Sequence, residues 1–192
     1  MLIEILLFDG FDELDAIGPY EVFRLASKHG DIDAELVTRE PTDRIEARSG
    51  LRIEPDDTVS ADPEAILVPG GGWSDPDAPG VGREYERGEI PTLIGERFDS
   101  GATVASVCTG SLLLAAAGLL EGRPAATHHT AREDLRGMGV DVREERFVDD
   151  GRVLTAGGIT SGFDLALHLV ERECGAEVAD TVAGELEYER SI

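Results

Sequence analysis

The chain has 192 residues, enough for one well-buried core, and carries 40 acidic residues against 17 basic for a net charge of −23. Such a surface repels nucleic-acid phosphates and anionic membranes, which excludes binding functions built on either. Lys28 is the only lysine, and at about 1 M salt, where the Debye length is about 3 Å, most self-repulsion is screened, so a salt-rich cytoplasm of the halophile kind is expected.

Residues 2–8 form an apolar run, broken only by Glu4, of the kind expected for a central strand covered on both faces. The run is only seven residues long and is followed by Asp9, Asp12, Glu13 and Asp15. It therefore reads neither as a signal peptide nor as a membrane span, and a cytoplasmic protein is expected. Ile17, Tyr20, Phe23, Leu25 and Ala26 then recur at helical spacing within residues 17–29. Residues 34–38 read as a second strand, and Ser49-Gly50 inside residues 45–53 as the turn of a short hairpin. Residues 65–68 are a buried strand running into Pro69-Gly70-Gly71-Gly72, and residues 88–100 hold Ile90, Leu93, Ile94 and Phe98 in helical register.

Residues 103–107 are the next strand, ending at Cys108, and residues 112–120 read as helix. Short strands are expected at 125–127, 146–148 and 153–156, with helix over 130–137, 161–173 and 176–188. Strands alternating with helices imply a mostly parallel sheet with helices on both faces, in one domain spanning residues 1–192. Ligands in such sheets bind beyond the carboxyl ends of the strands, where the chain order reverses. The acidic loop after the first strand, the triple glycine and Cys108 all fall at such ends.

Cys108 sits at a strand-to-helix elbow, where a helix N-terminus is expected to favour the thiolate over the thiol. Cys174 lies on the apolar final helices and reads as a small core hydrophobe. A disulfide between the two is disfavoured by a reducing compartment, and no Cys and His set has metal-site spacing. A thiolate that attacks an electrophile needs a proton source. Among the acids after the first strand, Asp15 is flanked by Leu14, Ala16 and Ile17, surroundings that raise a carboxyl pKa, although helix capping is its alternative role. The N–H groups of residues 70–72, together with those of Cys108 and Thr109, are positioned to cradle an oxyanion. His128-His129 is either a base near Cys108 or structural, and Thr109 directly after the cysteine rules out an adjacent Cys-His dyad.

Five segments together resemble the DJ-1/PfpI superfamily in order and spacing: Asp12 through Phe23, Val68-Pro69-Gly70-Gly71, Ser106-Val107-Cys108-Thr109-Gly110, Ala126-Thr127-His128 and Thr155 through Gly162. Within it, the L-D-x-x-G-P-x-E-V-F segment with V-C-T-G is similar to the isonitrile hydratase branch and to amidase-like domains of some transcription regulators. The resemblance implies a flavodoxin-like three-layer sandwich, usually a homodimer, with Cys108 as nucleophile, Asp15 as acid and Thr109 beside them. Gly70, Gly71, His128, Gly158 and Ile159 would line the substrate site, and no cofactor is implied. Histidine follows the cysteine in the protease and amidase branch, and glutamate stands at Asp15 in DJ-1 proper and its glyoxalase-like relatives, so both are disfavoured.

The resemblance thus implies hydration of a small molecule such as an isonitrile. Glyoxalase-like or deglycase-like chemistry on carbonyls and a ligand-sensing or redox-sensing domain are the alternatives. The related regulators carry a DNA-binding region after this domain; a chain of 192 residues with so acidic a surface is expected to be a free-standing enzyme. The composition itself yields a test: unfolding at low and at molar KCl should show greater stability in the high salt, and equal stability at both would remove the salt adaptation.

Overall fold

A computed structural model of the chain describes residues 1–190. In chain order it builds β1 (Leu2–Leu7), α1 (Glu13–Ala26), β2 (Asp33–Thr38), β3 (Ile45–Glu46), β4 (Arg52–Ile53), β5 (Asp57–Thr58) and β6 (Ala65–Val68). There follow α2 (Val81–Arg87), α3 (Glu89–Asp99), β7 (Thr103–Ser106), α4 (Ser111–Ala116), β8 (Pro124–Ala125), α5 (Arg132–Gly137) and β9 (Asp141–Val142). The chain closes through β10 (Phe147–Asp150), β11 (Val153–Ala156), α6 (Ser161–Cys174) and α7 (Ala176–Glu185).

Seven strands form one sheet in the order β10-β11-β7-β6-β1-β2-β5, parallel throughout except for β10, which runs antiparallel to β11. The central strands are apolar without alternation because both of their faces are covered: every residue of β6 is buried, as are Ile3, Ile5, Leu6 and Leu7 of β1. Glu4 is the exception in β1, and its buried carboxylate accepts the Ser60 N–H at 2.9 Å. The steps from β1 to β2 and from β6 to β7 run in opposite directions across the sheet. Right-handed crossovers therefore place their helices on opposite faces. In agreement, α1, α6 and α7 pack on one another, as do α2, α3 and α4, giving a flavodoxin-like three-layer sandwich.

The expected hairpin forms as the antiparallel pair β3-β4. Three elements go beyond the sequence reading: α2, β5 and the two-residue β9, which pairs with β8. The helix α2 lies between Gly80 and Gly88 and buries Glu84 among few apolar residues, and β5 is a two-residue acidic strand on the sheet edge. Helix α1 begins at Glu13, four residues before Ile17, with Glu13 and Asp15 in its first turn where the helix dipole favours acids. A 3₁₀ turn, Cys108–Gly110, separates β7 from α4, and α4 stops at Ala116, short of residue 120. Among the described residues, no helix is long and apolar enough to cross a membrane.

The chain order reverses between β1 and β6, so the loops leaving these strands and the elbow leaving β7 share one crevice at the carboxyl end of the sheet. The elbow is packed to backbone contact: a β-carbon on Gly110 would fall 2.4 Å from the Val68 carbonyl oxygen and 2.7 Å from that of Pro69. Gly110→Ala should therefore lower stability by about 2 kcal/mol or more. Gly137→Ala, where a β-carbon meets nothing within 4 Å, should be neutral or stabilising by roughly 0.5–1 kcal/mol. Urea unfolding of both variants checks this contrast.

Candidate active site

Cys108 has φ 61°, a left-handed conformation that non-glycine residues adopt only when their surroundings enforce it. Its N–H donates to the Gly157 carbonyl at 2.9 Å, which ties the elbow to the end of β11. The side chain is 6% exposed. The N–H groups of Thr109 and of Ile159, itself at φ 39°, reach the sulfur and favour the thiolate. They do not prevail. Burial pushes the Cys108 thiol up to about 12, and the Asp15 carboxylate adds to the rise. The expectation that the helix N-terminus lowers this pKa is corrected here: a 3₁₀ turn and a six-residue helix offer little dipole against full desolvation.

Asp15 is fully buried in the first turn of α1, where it caps nothing, because Asp12 holds the N-cap position. Its Oδ2 accepts the Gly70 N–H at 3.0 Å, and its Oδ1 has no partner among the described residues. Burial, reinforced by the charge of Asp12, raises its pKa to about 7, against the opposing hydrogen bonds from Gly70 and the Cys108 thiol. Thiol and carboxyl thus form a coupled pair whose first proton leaves near neutrality and whose second is held far above it.

The hydroxyl of Thr109 accepts the Gly71 N–H at 3.0 Å and donates to the Gly71 carbonyl at 2.9 Å. Its proton is therefore spent inside the protein. With the Gly70 N–H on Asp15, the Gly71 N–H on Thr109, the Cys108 N–H on Gly157 and the Thr109 N–H on the sulfur, four of the expected oxyanion donors are already engaged. The expected cradle is corrected at four of its five donors: the Gly70, Gly71, Cys108 and Thr109 N–H groups build the site instead of facing a ligand.

His128, Gly158 and Ile159 line a cleft of about 460 Å³ together with Thr127 and Ser161. The His128 ring lies over Gly158, where a β-carbon would come within 2.6 Å of its Cδ2. Burial and the adjacent His129 hold the His128 pKa below the usual range, so the ring is neutral at pH 7. Its Nδ1 lies 2.8 Å from the Thr130 hydroxyl and 3.4 Å from the Thr130 N–H, which fixes the ring over the cleft. His129 is exposed. Sequence reasoning passed over two buried hydroxyls at the elbow, Ser111 and Thr127, although both lie in or beside the motif segments. Both cysteines are free, and the described residues contain no group of three His, Cys, Asp or Glu side chains able to hold a metal ion.

Residues 1–172 match the DJ-1/PfpI family. The chain belongs to this family. Its DJ-1/PfpI relatives include an isonitrile hydratase from Pseudomonas putida, 38% identical over 95% of this chain and 76% of that protein. A deglycase from Thermococcus kodakarensis is 30% identical over 79% of this chain and 86% of its own length. The crystal structure of a ThiJ/PfpI family protein from Pseudomonas syringae superposes with a TM-score of 0.83 at 27% identity, covering all of this chain and 76% of the other. Other DJ-1/PfpI relatives are named as a glyoxalase and as HTH-type transcriptional regulators, so the family spans enzymes and non-enzymes.

The raised Asp15 pKa also bears on folding. Between 3.8 and about 7 the unfolded chain has released a proton that the folded protein retains. Stability therefore falls as pH rises through this window, by on the order of 4 kcal/mol as an upper bound. Asp15→Asn should melt above the natural protein at pH 8 and lose that advantage near pH 4; equal melting temperatures at pH 8 would contradict the buried, strained carboxylate.

Proposed function

We propose that this chain is a cofactor-independent hydratase that converts a small isonitrile, R–N≡C, to an N-substituted formamide, with Cys108 as nucleophile and Asp15 as proton carrier. The observation that carries the reading is the pairing of a buried thiol with a carboxyl whose Oδ1 is unpartnered, in a crevice where four of the N–H donors are already engaged. A carbonyl substrate develops an alkoxide when a thiol adds to it and calls for free donors at that oxygen. Addition to the terminal carbon of an isonitrile places both sulfur and proton on one carbon and develops no oxyanion. The relative named as an isonitrile hydratase supports the same choice.

The reactive pair holds one proton between sulfur and Asp15. The sulfur bonds to the terminal carbon, Asp15 passes the thiol proton to that same carbon, and the product is a thioimidate, R–N=CH–S, on Cys108. Asp15, again a carboxylate, takes a proton from water as the water oxygen adds to the thioimidate carbon, and delivers it to nitrogen. The tetrahedral adduct collapses to R–NH–CHO, its hydroxyl proton returning through Asp15 to the departing sulfur. One water is consumed and the thiol is restored. The cleft beside Ile159 and His128 receives the R group, while Thr109 and Gly71 hold the loop against the elbow. The working form proposed is a homodimer in the cytoplasm.

Turnover of small isonitriles and of methylglyoxal by the natural protein, Cys108→Ala and Asp15→Asn, in high salt, tests this. Cys108→Ala should abolish isonitrile hydration, and Asp15→Asn should reduce it by about 10²-fold or more. For the natural protein kcat/KM should rise with pH through about 7, as the pair loses its first proton. Hydration that persists in Cys108→Ala would overturn the mechanism. Activity on methylglyoxal alone would replace the hydratase reading with the glyoxalase-like one, and no turnover of either would favour a sensing domain.

A further inference from the structure

The strained backbone of Cys108 needs something to hold it, and its carbonyl oxygen shows what does. That oxygen accepts the Thr127 hydroxyl at 3.0 Å and the His128 N–H at 3.3 Å. The Thr127 oxygen in turn lies 2.7 Å from the Ser111 hydroxyl, which is also 3.3 Å from the Cys108 carbonyl. Each hydroxyl has one proton, so the shortest consistent chain runs from Ser111 to Thr127 and from Thr127 to the Cys108 carbonyl. Both side chains are buried, Ser111 at 0% and Thr127 at 1% exposure, so a lost hydroxyl leaves a buried polar partner short of a hydrogen bond. The segment that carries Thr127 is itself fixed, because the Ala126 N–H donates to the buried Thr155 hydroxyl at 2.8 Å on β11.

We propose that Thr127 and Ser111 are positioning residues for the nucleophile, a buried hydroxyl relay that holds Cys108 in its left-handed conformation and so aims the sulfur. Residue 108 gains by relaxing to negative φ once its carbonyl is held by the longer His128 N–H bond alone. That rotation carries the sulfur away from Asp15 and from the Thr109 and Ile159 N–H groups. Neither hydroxyl touches the reacting atoms. Both act through the backbone of Cys108, in parallel with the Gly157 carbonyl that accepts the Cys108 N–H.

The proposal rests on Cys108 being the reactive thiol but not on which electrophile it meets, so its test uses a different one. The rate of Cys108 alkylation by iodoacetamide is measured from pH 6 to 10 for the natural protein and for Thr127→Val, Thr127→Ser and Ser111→Ala, in a Cys174→Ala background, with a melting curve for each. Thr127→Val keeps the shape and removes the hydroxyl. It should slow alkylation by about tenfold at pH 8 and move the midpoint near 7 at which the Asp15–Cys108 pair loses its first proton. Thr127→Ser should restore both, and Ser111→Ala should shift them in the same direction by less. A folded Thr127→Val with the natural rate and midpoint overturns the proposal. Should Thr127→Val not fold, Ser111→Ala decides: an unchanged profile overturns the relay and a shifted one upholds it. Because isonitrile turnover is not read, failure here and failure of the hydratase reading are separate results.

Discussion

Gly70 is the point on which the site depends. A β-carbon there would lie 2.7 Å from the Cys108 β-carbon, 2.7 Å from the Thr109 nitrogen and 2.8 Å from Asp15 Oδ2. Real contacts of that kind do not occur between such atoms, so the exits of β1, β6 and β7 converge only because residue 70 has no side chain. Its N–H fills the space productively, anchoring one oxygen of Asp15 and leaving the other without a partner. Any larger residue would part the acid from the thiol, whatever else the fold kept.

From that contact the electrostatics follow. Two ionisable groups share a volume from which water is largely excluded, and each resists the other's charge. A pair of this kind behaves as one site carrying one proton over a wide range. That is the condition in which a weak nucleophile and a weak acid assist each other. The energy stored in the buried carboxylate and in the left-handed backbone at Cys108 is supplied by the apolar core around them, in which Phe11, Ile66, Leu67, Leu112 and Leu113 are fully buried.

How far the sequence disclosed this depends on whether the signal was local. The strands β1, β6 and β7 were legible because burial on both faces leaves mostly apolar runs, broken only by Glu4 in β1 and by Thr103 and Ser106 at the ends of β7, and Cys108 and Asp15 because each lies beyond the end of such a run. Helix α2 was not, since its glycine boundaries and buried Glu84 mimic a polar loop. The start of α1 was misjudged because its first turn is acidic, not apolar. The donors at Gly70, Gly71 and Cys108 looked available in the sequence, but whether an N–H is free is decided by partners 38 to 55 residues away. The thiol's pKa is of the same kind: helix position is local, desolvation is not.

The two edges of the sheet are unlike its centre. At one lies β5, two residues long and opened by Asp56-Asp57; at the other β10 ends in Asp149-Asp150. Parallel sheets assemble late, because each pairing waits on a long crossover, and a growing sheet offers its open backbone to other copies meanwhile. Carboxylates at the β5 margin discourage that stacking, whereas Asp149 and Asp150 at the other are partnered by His168, Arg172 and Arg123. In concentrated salt the carboxylate repulsion is screened, and what limits edge-to-edge pairing is then the brevity of the edge strands, two residues in β5 and four in β10.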